Sequence, residues 1–150
     1  MSLVVLLDAG PLGLLAYSRA LPAATRCRQW LSSLGASGTR VIVPEITDFE
    51  VRRELLRAGL MRGIIRLDAL KAGAEYAPLT TETMMRAAEF WADARRQGRP
   101  TAGPHELDCD VTLAAQATLV ARPGEHVVVA TTNVGHLARF VDARDWRNIP

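Results

Sequence analysis

The chain has 150 residues, 49% of them hydrophobic and 23% charged, with a formal net charge of +2. That is the size and balance of one globular domain with a real core, and it excludes a disordered or fibrous chain. So small a net charge announces no nucleic-acid partner, and no apolar run approaches the roughly eighteen residues of a membrane span. No basic segment precedes the first apolar run, so no signal peptide is read and a cytoplasmic location is expected. Cys27 and Cys109 are far apart and lack Cys-x-x-Cys spacing, which predicts reduced thiols and neither zinc nor a disulfide framework. Lys71 is the only lysine; the positive charge is otherwise arginine, which suits phosphate contacts and also accumulates through base composition.

Leu3 to Leu7 is an unbroken apolar run that ends in Asp8, as a strand buried on both faces would read. Asp8 then stands at the C-terminal end of a strand, the edge where open parallel sheets bind ligands. Asp8 can equally cap the helix predicted over 11–18, since Gly10-Pro11 follows it. A second helix is expected over 23–34, closed by Gly35 to Gly38, and Arg40 to Val43 is a second strand ended by Pro44. Apolar residues at helical spacing predict helices over 45–57 and 60–72, stopped by Gly59 and Gly73. Residues 76–79 are a weak strand, and Thr80 or Thr81 caps a long helix over 82–97. Gly98 to His105 reads as a loop and a possible substrate lip. An alanine-rich helix over 107–121 follows, then a buried strand over 126–131, a short helix over 134–140, and a tail from Ala143 to Ile149 that can add an edge strand. Alternating helices and non-alternating strands predict an α/β chain, a three-layer α/β/α sandwich with a mostly parallel central sheet.

Acids collect where these elements meet that edge: Asp8 after the first strand, Glu50 in the helix after the second, and Asp108 and Asp110 opening the alanine-rich helix. Asp108 and Asp110 lie about 200° apart on a helix, so one is expected to cap it, Asp108 more naturally, while the other looks inward. Buried carboxylates gathered together repel, and either a proton or a divalent cation resolves the repulsion. Oxygen ligands select Mg²⁺ or Mn²⁺, ions that activate water and steady phosphoryl transition states. Spacing alone leaves open a plainer account, in which Glu50 shares a solvated face with Glu54 and the aspartates merely suit a helix N-terminus.

Val-Val-Leu-Leu-Asp8, then Val43-Pro44 with Glu50 and Leu55, then Asp110-x-x-Leu113-Ala114-Ala115-x-Ala117, then Thr131-x-Asn133-x-x-His136-Leu137 resemble, in order and position, the motifs of the PIN-domain family. The likeness is greatest to the VapC-like toxin ribonucleases and covers about residues 3 to 149. It implies a single PIN-like domain over 1–150 that cleaves RNA with Mg²⁺ or Mn²⁺, either as the toxin of a type II toxin–antitoxin pair or as a stand-alone PIN protein. It further implies metal binding by Asp8, Glu50 and Asp110, with Asp108 a secondary candidate, and substrate contact or support from Thr131, Asn133 and His136. An antitoxin partner and a homodimer are implied as well.

Two departures stand out. His136 occupies the place of the family's usual fourth acid, and histidine does not replace a carboxylate for Mg²⁺. Ala9-Gly10-Pro11 follows the first aspartate where the family has hydroxyl or amide side chains that hold it. The first departure favours an alternative: a PIN-fold module that binds RNA or protein with little or no turnover. A phosphorelay receiver domain shares the sheet architecture, but Lys71 lies mid-chain rather than late. No glycine-rich phosphate loop is present. Trp30, Trp91 and Trp146 read as packing residues, His105 and His126 as surface histidines, and Arg52, Arg53 and Arg57 as either phosphate contacts or partners of Glu54. Apolar residues over 45–57 and 60–70 serve a core or a dimer face equally well.

Overall fold

The computed structural model describes residues 2–17, 20–98 and 104–150, with backbone alone at 104–106. The apolar run from Leu3 forms β1 together with Ser2 (Ser2–Leu7), and the chain continues through α1 (Ala9–Tyr17), α2 (Pro22–Ala36), β2 (Arg40–Pro44), α3 (Glu45–Arg57), α4 (Met61–Gly73) and β3 (Glu75–Ala77). Then follow α5 (Thr81–Arg96), α6 (Pro104–Val120), β4 (Glu125–Thr131), α7 (Val134–Leu137), β5 (Ala143–Asp145) and a 3₁₀ turn, Trp146–Asn148. The sheet has the order β3-β2-β1-β4-β5 and every pairing is parallel, so the mostly parallel sheet expected is parallel throughout. A receiver domain runs 2-1-3-4-5, which this order excludes.

Because β1 is central, its side chains alternate between two buried layers. Val5 and Leu7 pack with Leu12, Leu15, Val51, Leu55 and Leu67 from α1, α3 and α4, where Trp30 and Trp146 also meet, ring centroids 5.6 Å apart. Val4 and Leu6 face Leu113 and Ala117 of α6 and Leu137 of α7. Small residues let α5 lie close on α6, Ala87 and Ala94 against Leu107, Val111 and Ala115. These are the three layers expected. No helix among the described residues is long and apolar enough to cross a membrane.

The ends of several elements differ from expectation for local reasons. α6 begins at Pro104, so Asp108 lies a full turn inside it and caps nothing. Proline is pre-shaped for a first helical turn, and this outweighs the loop signal of its neighbours. His105 is thereby in the first turn of α6, and residues 99–103 of the expected lip lie outside the described residues. Thr80 caps α5, accepting from the Thr83 amide at 3.1 Å. Trp91 is not a packing residue: it is 41% exposed, with the Arg95 guanidinium 5.5 Å from its ring centre. Cys27 is buried and Cys109 half-buried; burial pushes their thiols up to about 12 and about 11.

Two ion clusters brace the sheet. At its N-terminal edge Arg40 of β2 contacts Glu75 of β3 and Glu125 of β4, each at 2.6 Å. Between α3 and α4, buried Asp48 meets Lys71 and Arg52, each at 2.9 Å, and accepts from the Tyr76 hydroxyl at 3.0 Å.

Candidate active site

Asp8 follows the last residue of β1. Its amide still donates to Ala130 of β4 (2.9 Å), while its carbonyl already accepts from Leu12 at the start of α1 (3.1 Å). The carboxylate takes a 2.7 Å hydrogen bond from the Ala9 amide on one oxygen and a 2.7 Å bond from the Thr131 hydroxyl on the other. A helix-capping side chain usually accepts from the second or third helical amide, and the third residue here, Pro11, has none. Asp8 therefore caps little and spends an oxygen across the sheet. The support that Ala9-Gly10 lacks arrives from β4 instead, and a side chain at Gly10 would overlap Thr132.

Burial pushes the Asp8 carboxyl above the ordinary aspartate value, against the pull of Thr131, Ala9 and nearby His136. Glu50 projects from α3, half-buried, and no donor among the described residues hydrogen-bonds it. Burial, then the Asp8 charge, push its carboxyl up to about 7; Arg53 opposes this, and Asp110 adds to it. Glu50 thus turns away from the plainer role of a solvated partner for Glu54, which instead pairs with Arg57 at 2.8 Å. Asp110 comes from α6, its side chain 19% exposed, with one oxygen 3.6 Å from His136 Nδ1. His136 Nδ1 also lies 3.3 Å from Asn133 Nδ2, and the Asn133 amide donates to the Thr131 hydroxyl oxygen at 2.9 Å. Asp8, Thr131, Asn133, His136 and Asp110 therefore form one polar chain, with Glu50 coupled to it through charge.

Asp108 lies elsewhere. It is exposed and lines a groove with Met84, Trp91 and Val111, on the far side of α6 from the other acids. Two residues that sequence reasoning passed over hold the acid-bearing elements together. Buried Gln116 of α6 accepts from the Ile46 amide at the start of α3 (3.3 Å) and donates to the Ala77 carbonyl at the end of β3 (2.6 Å). Buried Thr47 of α3 donates toward the carbonyls of Leu7 and Pro44, both at 3.0 Å. A glutamine and a threonine inside otherwise apolar helical stripes were the available signals.

Among the described residues no three His, Cys, Asp or Glu side chains converge closely enough to hold one ion by themselves. The donor set nonetheless fits a hard divalent cation. All three groups are carboxylates, one of them takes no hydrogen bond from the described residues, and Mg²⁺ needs only one or two direct carboxylates with water filling the rest of its sphere.

Acids from β1, α3 and α6 at the C-terminal edge of a 3-2-1-4-5 parallel sheet belong to a PIN-type α/β/α fold. Over 95% of its length the chain matches 98% of a chain of VapBC2 from Rickettsia felis, a complex bound to a DNA fragment from their promoter, with TM-score 0.68 and 13% identity. It likewise covers 97% against 99% of a chain of FitAcB from Neisseria gonorrhoeae (TM-score 0.67, 23% identity). Against DNA-bound VapBC from Salmonella typhimurium it covers 96% and 98% (TM-score 0.66, 16% identity). At these identities the likeness is one of fold. No protein-family model and no curated protein sequence matches the chain.

Proposed function

We propose that residues 1–150 form one PIN-like domain acting as a divalent-metal-dependent endoribonuclease, the toxin member of a VapC-like toxin–antitoxin pair. The observation that carries this reading is that three separate elements bring acids to one polar chain: Thr131 holds Asp8 at 2.7 Å, His136 stands 3.6 Å from Asp110, and the Glu50 carboxyl, raised first by burial, is raised further by Asp8 and Asp110. Asp8 and Asp110, with Glu50, would hold Mg²⁺ or Mn²⁺, which when bound supplies charge stabilisation for a phosphoryl transition state and an activated water. Thr131 and Ala9 fix both oxygens of Asp8 in one orientation. Burial and then Asp8 raise the Glu50 carboxyl to about 7, so it is only partly ionised at neutral pH. Asn133 and His136 offer hydrogen bonds to a phosphate at the rim. Arg53 does the same from α3: Arg52 and Arg57 are engaged by Asp48, Asp68 and Glu54, whereas the Arg53 guanidinium lies 5.1 Å from the ring centre of exposed Phe49. A cation beside an open aromatic ring suits a phosphate and a stacked base.

The antitoxin partner follows from the same reading, since the similar structures named above are of VapBC and FitAcB. A homodimer would use Leu56, Leu60, Met61 and Ile65, which stand exposed at the end of α3, in the turn after it and along α4. One observation favours a second reading, a binding module without turnover: His136 stands 3.6 Å from Asp110 where the family resemblance calls for an acid.

Cleavage of labelled single-stranded RNA with Mn²⁺, with and without chelator, in the wild type and Asp8→Asn, decides the matter. Cutting that needs no metal, or that survives the substitution, refutes the nuclease reading. Absence of cutting in every metal with RNA binding retained establishes the binding module.

A further inference from the structure

Thr47 carries no charge, yet it joins the element that bears Asp8 to the element that bears Glu50. Along a strand, successive residues turn their backbone groups to opposite neighbours. The Asp8 amide reaches Ala130 on β4, so the Leu7 carbonyl faces β2. In the β1–β2 register Leu6 lies opposite Ile42, and a parallel ladder would offer Leu7 the amide of residue 44. That residue is Pro44, which has no N–H. A buried carbonyl left without a donor is destabilising. The Thr47 hydroxyl fills the gap, 3.0 Å from the Leu7 carbonyl, with the Pro44 carbonyl also at 3.0 Å. The second contact restrains the threonine side chain, and Thr47 is wholly buried. The bond lands one residue before Asp8 and starts three residues before Glu50.

We propose that Thr47 is a positioning residue: by standing in for the amide that Pro44 lacks, it sets the separation between the Asp8 and Glu50 carboxylates. The functional weight of that separation rests on the reading of the two acids as a metal-binding pair. The hydrogen-bond substitution itself does not.

The test uses the full chain and Mn²⁺ alone, titrated calorimetrically into the wild type, Thr47→Ser, Thr47→Val, and Thr47→Val combined with Pro44→Ala. The alanine restores a backbone N–H where the hydroxyl had been needed. Thr47→Val is expected to weaken Mn²⁺ binding about tenfold or more in the folded protein, the usual size of such indirect effects. Thr47→Ser and the double variant should both bind about as the wild type does. Thr47→Val with wild-type affinity, or a double variant no better than the single one, overturns the proposal. Should Thr47→Val fail to fold, the double variant is expected to fold, and its failure counts against the proposal equally. Wild type that binds no Mn²⁺ refutes the metal reading instead. The positioning claim is then decided by crystal structures: an Asp8 to Glu50 spacing unchanged in Thr47→Val overturns it, and a spacing changed there but restored in the double variant supports it.

Discussion

The Thr131 hydroxyl donates to Asp8 across the sheet at 2.7 Å while accepting from the Asn133 amide at 2.9 Å. One threonine at the end of β4 thereby orients the acid at the end of β1 and shapes the turn that carries Asn133. Thr131→Val removes the donor at nearly constant volume. We expect it to cost about 1–3 kcal/mol by urea denaturation and to weaken Mn²⁺ binding, with Thr131→Ser close to wild type. A valine variant indistinguishable from wild type in both measurements would show that Asp8 is held by Ala9 alone.

The Glu50 carboxyl, raised by burial and then by Asp8 to about 7 from an ordinary 4.5, ties stability to pH. The folded chain holds this proton more tightly than the unfolded chain. The resulting stabilisation is therefore complete below about pH 4.5 and is lost as pH rises through about 7, on the order of 2–3 kcal/mol. In chelator, wild-type stability should fall between pH 5 and 8 while Glu50→Gln stays flatter and is the more stable at pH 8. Mn²⁺ should stabilise the wild type most at the high-pH end, because it binds the ionised form. Parallel denaturation midpoints for the two proteins across this range would contradict the assignment.

Asp48 behaves oppositely. Burial alone would raise it, but Lys71, Tyr76 and Arg52 together hold it below the ordinary aspartate value. Its contribution is present above the ordinary value and lost as pH falls through the lower folded one. Lys71→Met leaves Arg52 and Tyr76 in place, so a loss of about 1–2 kcal/mol at pH 7 is expected. Acid unfolding should begin at higher pH than in the wild type. An unchanged acid midpoint would mean that Arg52 and Tyr76 together satisfy the buried carboxylate.

Phe49 and Arg53 make the proposed RNA contact open to measurement. In an Asp8→Asn background that does not cut, Arg53→Gln should reduce the salt dependence of single-stranded RNA binding by about 0.7 in log–log slope, one phosphate's worth. Phe49→Ala should weaken binding by about 1–3 kcal/mol whatever the base sequence. If neither substitution alters binding, this face of α3 does not meet RNA.

Periodicity and apolar runs carried most of the fold. β1 and β4 are legible because a central parallel strand must be apolar on both faces, and the all-parallel order follows from strands separated by helices. The start of α6 was not legible: Pro104 is both a loop former and a first-turn residue, and neighbouring glycine and proline tilted the reading. That misplacement turned Asp108 into a cap when it is an exposed residue on the wrong side of its helix. The proposal that Asp8, Glu50 and Asp110 act together rests on motif order, since nothing in local spacing says which face of α3 turns toward β1. Thr47 and Gln116 could be noticed as polar residues on apolar stripes, but their roles could not be read, because their partners are backbone groups, a carbonyl stranded by Pro44 and an amide at the start of α3, which come together only once strand and helix are side by side.

The two rims of the sheet carry opposite electrostatics. Arg40 draws Glu75 and Glu125 together at one, while Asp8 and Asp110 act against the charge of Glu50 at the other. Added monovalent salt screens attraction at the first rim and repulsion at the second. Global stability should accordingly vary little with ionic strength even as the two ends of the same strands respond in contrary directions. Amides near Arg40 would exchange with solvent faster in salt, and amides near Asp8 more slowly, so a strand such as β1 would be loosened at its start and tightened at its finish.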